Sequence, residues 1–348
     1  MSHLTRRAAL SGAAAFALAA CDRQAASPVA THINLYSARH YDADRAVYDA
    51  FTAQSGIEVR VLAAPADQLI ERLTLEGDQT EADLVVTADA GNLWRIQQAG
   101  LLQRSTTPAL EAACPARLKD DDRMWWPFTR RARVIIYRKD AVDPAEVASF
   151  DALAAPRFRG QVVARTSTNV YNLSMLAARI ERAGADNARA WARGVRENFA
   201  RDPQGGDIDQ IRAVAAGEAQ VAISNHYYYL RLVQSDDPAD RAVAEKVGLV
   251  FTDQGEGQPG AHVNISGAGV TLHAKRRDAA VALLDFLVST PAQQVFAGDN
   301  SEFPISDGTT LAPLLQGLGP FREETIPISA LGRRQVEAAR LFEDAGWR

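Results

Sequence analysis

The hydrophobic positions of this chain change period several times along its length. Short apolar runs at 33–36, 58–63 and 83–87 read as strands, because they are brief and rich in β-branched residues. Between them the apolar positions recur at helical spacing. Ala46, Val47, Ala50 and Phe51 form a stripe in 42–55; Leu69, Ile70 and Leu73 form another in 67–76; and a third helix covers 90–99. Asp42 is a candidate N-cap, and Gly56 and Gly100 close two of these helices. Strands alternating with helices predict a parallel α/β sheet. After Trp125-Trp126 the pattern resumes, with strands at 133–137, 161–164, 220–224, 248–251 and 269–272. Helices are expected at 173–183, 187–198, 208–216, 227–233, 279–288 and 330–345. The architecture expected is α/β, two lobes joined by extended crossings, with the strand near Val270 able to return to the first lobe.

Composition narrows this. At 348 residues the chain exceeds one ordinary domain, and 47% hydrophobic with 23% charged residues is a globular balance. A net charge of −5 argues against wrapping nucleic acid. Two cysteines cannot build a disulfide framework or a structural zinc site. The N-terminus places Arg6-Arg7 before an apolar stretch from Ala8 to Ala20. A membrane span needs roughly 20 apolar residues, so this shorter stretch reads as a signal-peptide core, residues 1–20. Leu18-Ala19-Ala20-Cys21 resembles a lipobox, which makes Cys21 a lipid attachment site; the plainer reading is a signal peptide that contains a cysteine. Arg6-Arg7 fits a twin-arginine signal as well as an ordinary one. Residues 21–31 read as a tether. The expected product is a body outside the cytoplasm, held to the membrane by lipid.

In an open α/β sheet, ligands bind beyond the carboxyl ends of the strands. Five of the eight tyrosines fall in such positions: Tyr41 after the first strand, Tyr171 after the strand at 161, and Tyr227, Tyr228 and Tyr229 after the strand at 220. His40 stands beside Tyr41. A phenol with a pKa of about 10 is a poor acid or base near neutral pH. Phenols either stack on a flat ligand or, as phenolates, bind a hard cation. Fe(III) suits anionic oxygen better than zinc or copper, which favour imidazole and thiolate. Four phenolates and a neutral imidazole around Fe(III) leave one negative charge, which a nearby arginine could offset; Arg39, Arg130, Arg131 and Arg133 stand near. Tyr36, Tyr48 and Tyr137 fall inside elements and read as structural, and Trp125-Trp126 as a core cap. No G-x-S-x-G, H-E-x-x-H or Walker loop is present.

Several segments together resemble a known family. They are Ser37-Ala38-Arg39-His40-Tyr41-Asp42, residues 82–91 (A-D-L-V-V-T-A-D-A-G), Asn169-Val170-Tyr171-Asn172, Asn225-His226-Tyr227-Tyr228 and His262-Val263-Asn264-Ile265-Ser266-Gly267. The chain resembles the ferric-iron-binding periplasmic proteins of bacterial ABC transporters, in the branch with four tyrosines and a histidine found in cyanobacterial ferric uptake proteins. The resemblance implies the type II periplasmic-binding-protein fold, two α/β lobes around a hinge and a central cleft. It implies lobe 1 as 32–127 plus about 256–300, lobe 2 as 128–255, and a C-terminal helical segment at 301–348. It further implies His40, Tyr41, Tyr171, Tyr227 and Tyr228 as Fe(III) ligands, delivery to an ABC permease, a monomer, and in some members a synergistic anion such as carbonate. Arg39, Arg131 and Tyr229 are candidates for supporting the ligands or holding that anion. Two positions depart from the family pattern: His226 precedes the tyrosine pair, and Tyr229 extends it to three. Successive helical residues turn by roughly 100°, so three cannot aim at one point. The competing readings are a receptor for a polyamine, thiamine-like ligand or organic anion stacked on the tyrosines, Fe(II) as the cargo, and an enzyme on the same fold, for which the chain offers no nucleophile or acid–base pair beyond the phenols.

Overall fold

The strand expected at 133–137 is only the end of a 13-residue strand that both halves of the sheet share. The computed structural model describes residues 30–39, 41, 43–306 and 308–348. Residues 1–30 and 31–348 are separate units, and all the described strands and helices belong to the second. The expected signal peptide, Cys21, most of the tether, the Asp42 cap and His40 lie outside the described residues.

The strands are β1 (His32–Ser37), β2 (Glu58–Ala63), β3 (Leu84–Thr87), β4 (Trp126–Arg138), β5 (Val162–Val163), β6 (Val221–Asn225), β7 (Val247–Val250), β8 (Val263–Val270) and β9 (Phe303–Pro304). Their order is β2-β1-β3-β8-β4-β6-β5, with β7 and β9 also on β4. β1 pairs in parallel with β2 and β3, as the alternation predicts. β8 returns to lie antiparallel to β3. β4 changes partners midway. Residues 126–132 pair with β8, and residues 133–138 pair with β6 and β7. The sheet therefore has two halves that meet at Ala132 and Arg133.

The helices are α1 (Asp44–Ser55), α2 (Ala66–Glu76), α3 (Ala90–Gln98), α4 (Pro108–Ala113), α5 (Val170–Ala183), α6 (Ala185–Glu197), α7 (Asp207–Ala216), α8 (His226–Val233), α9 (Pro238–Lys246), α10 (Arg277–Leu287), α11 (Thr290–Asp299), α12 (Pro313–Gly317), α13 (Ser329–Arg333) and α14 (Gln335–Asp344). Gly56 ends α1 with φ 74°, the left-handed geometry that glycine adopts without strain. In the second half the pleat sorts β4 residues by period two. Ile135 faces a core with Leu176, Trp191, Ile223 and Phe342, while Val134 and Ile136 face another with Val214 and Ala222.

Two expectations fail for packing reasons. β8 starts at Val263, six residues before the expected strand, and its Gly267-Ala268-Gly269 centre reads weakly as β. Its small residues are required: a Cβ on Gly267 would lie 2.7 Å from both a Leu93 methyl and the Trp126 carbonyl. The single C-terminal helix expected at 330–345 is instead α13 followed by α14. Gly332 brings α13 against Trp94 of α3, while α14 packs into the second-half core through Ala338, Leu341 and Phe342. Trp125 and Trp126 are buried, as core-capping residues should be.

Candidate metal centre

Three short connections place the phenols. Tyr41 follows β1, and its carbonyl accepts from the Asp44 N–H at the start of α1 (3.1 Å). Tyr171 sits inside the first turn of α5, not in the loop before it. The Asn169 carboxamide caps that turn by accepting from the Tyr171 N–H (3.2 Å), so the helix starts three residues earlier than its apolar stripe suggests. Tyr227 and Tyr228 occupy the first turn of α8, which follows β6 directly. Helical side chains lean toward the N-terminus, so these phenols lie beyond the strand ends, where the helix dipole favours anionic oxygen.

The four rings meet across the two halves of the sheet. The Tyr41 hydroxyl donates to the Tyr227 hydroxyl at 2.9 Å, with the rings edge-on at 77°. The Tyr227 and Tyr228 ring centres lie 4.3 Å apart, and Asn225 Nδ2 donates to the Tyr227 oxygen at 3.3 Å. Tyr41, Tyr171 and Tyr227 are buried and Tyr228 is partly buried. Burial, followed by the charge of a Tyr171 phenolate, drives the Tyr41 and Tyr227 hydroxyls well above the ordinary phenol range. The same two causes, with the Asp207 charge, raise Tyr228, while a hydrogen bond with Tyr227 and the Arg165 charge pull it back. At neutral pH these three phenols hold their protons.

Arginines surround the rings. The Arg39 guanidinium lies 4.4 Å from the Tyr41 ring centre. Arg131, Arg133 and Arg165 lie 5.0, 5.7 and 5.7 Å from the Tyr171 ring. Arg231 faces Tyr41, Tyr227 and Tyr228 at 4.9, 5.1 and 5.4 Å. Four of the five are tied to carboxylates: Arg39 to Asp44 and Glu302, Arg131 to Asp89, and both Arg133 and Arg165 to Asp207. Among the described residues Arg231 pairs with no carboxylate. Among the described residues, five guanidinium groups and four paired carboxylates surround the phenols. Arg165 and Arg231 were missed in the sequence. Arg231 was findable, since it stands four and three positions after Tyr227 and Tyr228, on the same helical face.

Other expectations give way to the geometry. Arg39 cannot hold an exogenous anion, because its N–H groups all go to Asp44, Glu302, Thr129 and Ser266. Arg130 turns away to the Pro304 carbonyl and Glu323. Tyr229 is not brought to the phenols; it is partly buried against the cluster of Leu230, Ala297, Phe303 and Leu315. His226 is fully buried, with Nδ1 accepting from the Ala132 N–H (3.2 Å) and Nε2 donating to the Ser301 carbonyl (2.9 Å). Its ring stacks on Phe303, and burial depresses its pKa to about 4. His262 pairs with Glu324. Among the described residues no cluster of three or more His, Cys, Asp or Glu side chains could hold a metal ion. A cleft of about 770 Å³ opens beside the phenols, lined by Arg165, Thr168, Asn169, Tyr171 and Tyr228.

Residues 46–316 match the model of a family described as bacterial extracellular solute-binding protein. Iron uptake protein A2 of Synechocystis is 47% identical over 322 residues, covering 92% of each chain. Iron uptake protein A1 of the same organism is 41% identical over 358 residues, covering 99% of each. Among solved structures, apo FutA2 from Synechocystis superposes with a TM-score of 0.87 at 47% identity, covering 92% of this chain and 100% of that one. The Trichodesmium protein IdiA (FutA), solved with iron and citrate ligands, gives 0.87 at 42% identity, covering 91% and 100%.

Proposed function

We infer that this chain, which belongs to the bacterial extracellular solute-binding protein family and stands beside its iron uptake members, is an extracytoplasmic Fe(III) receptor that delivers the ion to an ABC permease. The observation that carries the reading is the convergence of four phenols from both halves of the sheet, with Tyr41 and Tyr227 in direct hydrogen-bond contact. Tyr41, Tyr171, Tyr227 and Tyr228 are the assigned ligands. His40, adjacent in sequence to Tyr41, is assigned as the fifth. Four phenolates, a neutral imidazole and Fe(III) sum to one negative charge, and the surrounding arginines exceed their carboxylates by one. The loaded centre is then close to neutral, which lowers the cost of burying it.

Binding is a lobe closure. Lobe 1 is taken as 32–127 plus about 256–300 and lobe 2 as 128–255, with β4 and β8 as the crossings. Closing brings Tyr41 onto the lobe 2 tyrosines. Release follows from opening, from return of protons to the phenols, or from reduction to Fe(II), which holds hard anions less tightly. A small anion such as carbonate would complete the coordination from the cleft side, near Arg165. Cys21 is assigned as the lipid attachment that holds the receptor to the membrane, with export by the twin-arginine route as the matching signal reading. The receptor acts as a monomer, and its phenols hold a cation without catalysing a reaction.

Metal analysis and an absorption spectrum of protein from iron-replete cells test this. The expected result is bound iron with a visible phenolate-to-Fe(III) charge-transfer band. A protein that stays colourless with Fe(III) and carries a small organic ligand instead would overturn it.

A further inference from the structure

Outside the ring of phenols, a buried side-chain hydrogen bond also ties α5 of the second half to the first half. The Ser174 hydroxyl of α5 donates to Asp89 Oδ1 at 2.7 Å, and both residues are completely buried. Asp89 belongs to the first half, at the end of β3, where it caps α3 by accepting from the Gly91 N–H (2.7 Å). Its other oxygen accepts from Asn264 Nδ2 of β8 (2.7 Å) and Arg131 of β4 (3.4 Å). The carboxylate is thus held in place by the α3 cap, by Asn264 and by Arg131 on the crossing strand, and also accepts from Ser174 of the other half. Ser174 belongs to the second half, since its helix neighbours Met175, Leu176 and Ala177 lie in that half's core. Tyr171 and Ser174 are three residues apart and share a helical face. The phenol and the hydroxyl therefore move together. Nearby, α3 seats tightly against the start of α14: a Cβ on Gly91 would come within 2.3 Å of Gln335 Nε2.

We propose that the Ser174–Asp89 hydrogen bond is a latch on lobe closure that acts without iron, biasing the metal-free chain toward the closed arrangement and slowing loss of the bound ion. Ser174 and Asp89 are positioning residues in this scheme. Neither is a ligand. A charge-assisted bond shielded from water is worth more than a surface one, and opening the lobes breaks it.

The test is Ser174→Ala. Small-angle scattering of the metal-free chain is expected to show a larger radius of gyration than the natural protein. Fe(III) transfer to a competing chelator is expected to run about tenfold faster. The charge-transfer band is expected to keep its position, because the phenols are untouched. An unchanged radius of gyration overturns the latch whatever the rate does. A shifted band also overturns it, since Ser174 would then act on ligand geometry. Should Ser174→Ala not fold, Ser174→Cys keeps the shape with a weak donor, and it is expected to show the same changes at smaller size; no change in its scattering is again fatal. The rate comparison rests on the iron reading, but the scattering comparison does not. A natural protein with no Fe(III) band would sink the iron reading and leave the latch to be decided by scattering.

Discussion

Helix α8 opens with four aromatic side chains in a row, and they divide into two pairs of opposite fate. Tyr227 and Tyr228 join the phenols at the cleft. His226, before them, is fully buried, and Tyr229, after them, is partly buried against a different apolar cluster. By chemical type His226 would be the better ligand for most metals. Its two nitrogens are already engaged with backbone groups of Ala132 and Ser301, so it has nothing left to offer. The phenols look inferior on paper, yet the Tyr41 and Tyr227 hydroxyls meet in a direct hydrogen bond, with Asn225 beside them. On the proposed assignment, helix phase and the partners a side chain has already taken decide the site residues, ahead of residue type.

The sharpest break of this contrast is the double substitution Tyr171→Phe with Tyr227→Phe. Removing an outer partner of a metal ligand typically costs 10- to 100-fold, and loss of a ligand costs at least the upper figure, so the pair should weaken Fe(III) binding by roughly ten-thousandfold. Titration against a chelator, with the visible band as readout, measures this; unchanged affinity would remove both residues from the site. Next in size is pH. Tyr41, Tyr227 and Tyr228 have raised pKa values and stay protonated without metal. Four phenols that bind as phenolates expel up to four protons, and apparent affinity should fall by up to about ten-thousandfold per unit of acidification. Proton release counted in weakly buffered solution checks the number, and release near zero would contradict the phenolate mechanism.

His226 supplies the opposite behaviour. Its pKa falls from 6.5 unfolded to about 4 in the folded chain because burial opposes the charge. The folded state therefore resists a proton that the unfolded chain accepts. Stability is full above pH 6.5 and declines as pH falls toward 4, by up to about 3 kcal/mol. His226→Gln should flatten that slope in denaturant titrations between these two values while leaving the iron band in place. A lost band with an unchanged slope would reverse the roles assigned to the two kinds of residue.

Much of this was legible from the chain alone. The parallel unit β1–α1–β2–α2–β3 was marked by clean alternation and glycine caps, and the tyrosine positions by their place after strands. What the sequence hid has physical causes. β8 is buried on both sides against close neighbours, so it must be small, and small residues carry a weak strand signal. The start of α5 was hidden because its first turn is fixed by the Asn169 cap and lies ahead of the apolar stripe. The arginines around Tyr171 come from segments far apart in sequence, and nothing local announces that Arg165 shares Asp207 with Arg133.

The finest adjustment of the contrast lies one turn further along α8. Arg231 faces Tyr41, Tyr227 and Tyr228 with no carboxylate partner among the described residues, so its charge acts on the phenols without local cancellation. Arg231→Gln should lower Fe(III) affinity about tenfold at neutral pH, because one phenolate-stabilising charge is lost in a partly buried site. Added salt should not reproduce the loss, since a screened surface charge would respond to it. Tyr229→Phe marks the other limit. Its side chain packs against the cluster of Leu230, Ala297, Phe303 and Leu315, so affinity and band should stay within error of the natural protein. If Tyr229→Phe moved the band while Arg231→Gln did not, the face of α8 that meets the ion would be one residue out of phase with the assignment. The pair then tests helix phase directly, with the arginine reading the face that meets the phenols and the third tyrosine the face that packs on Leu230 and Phe303.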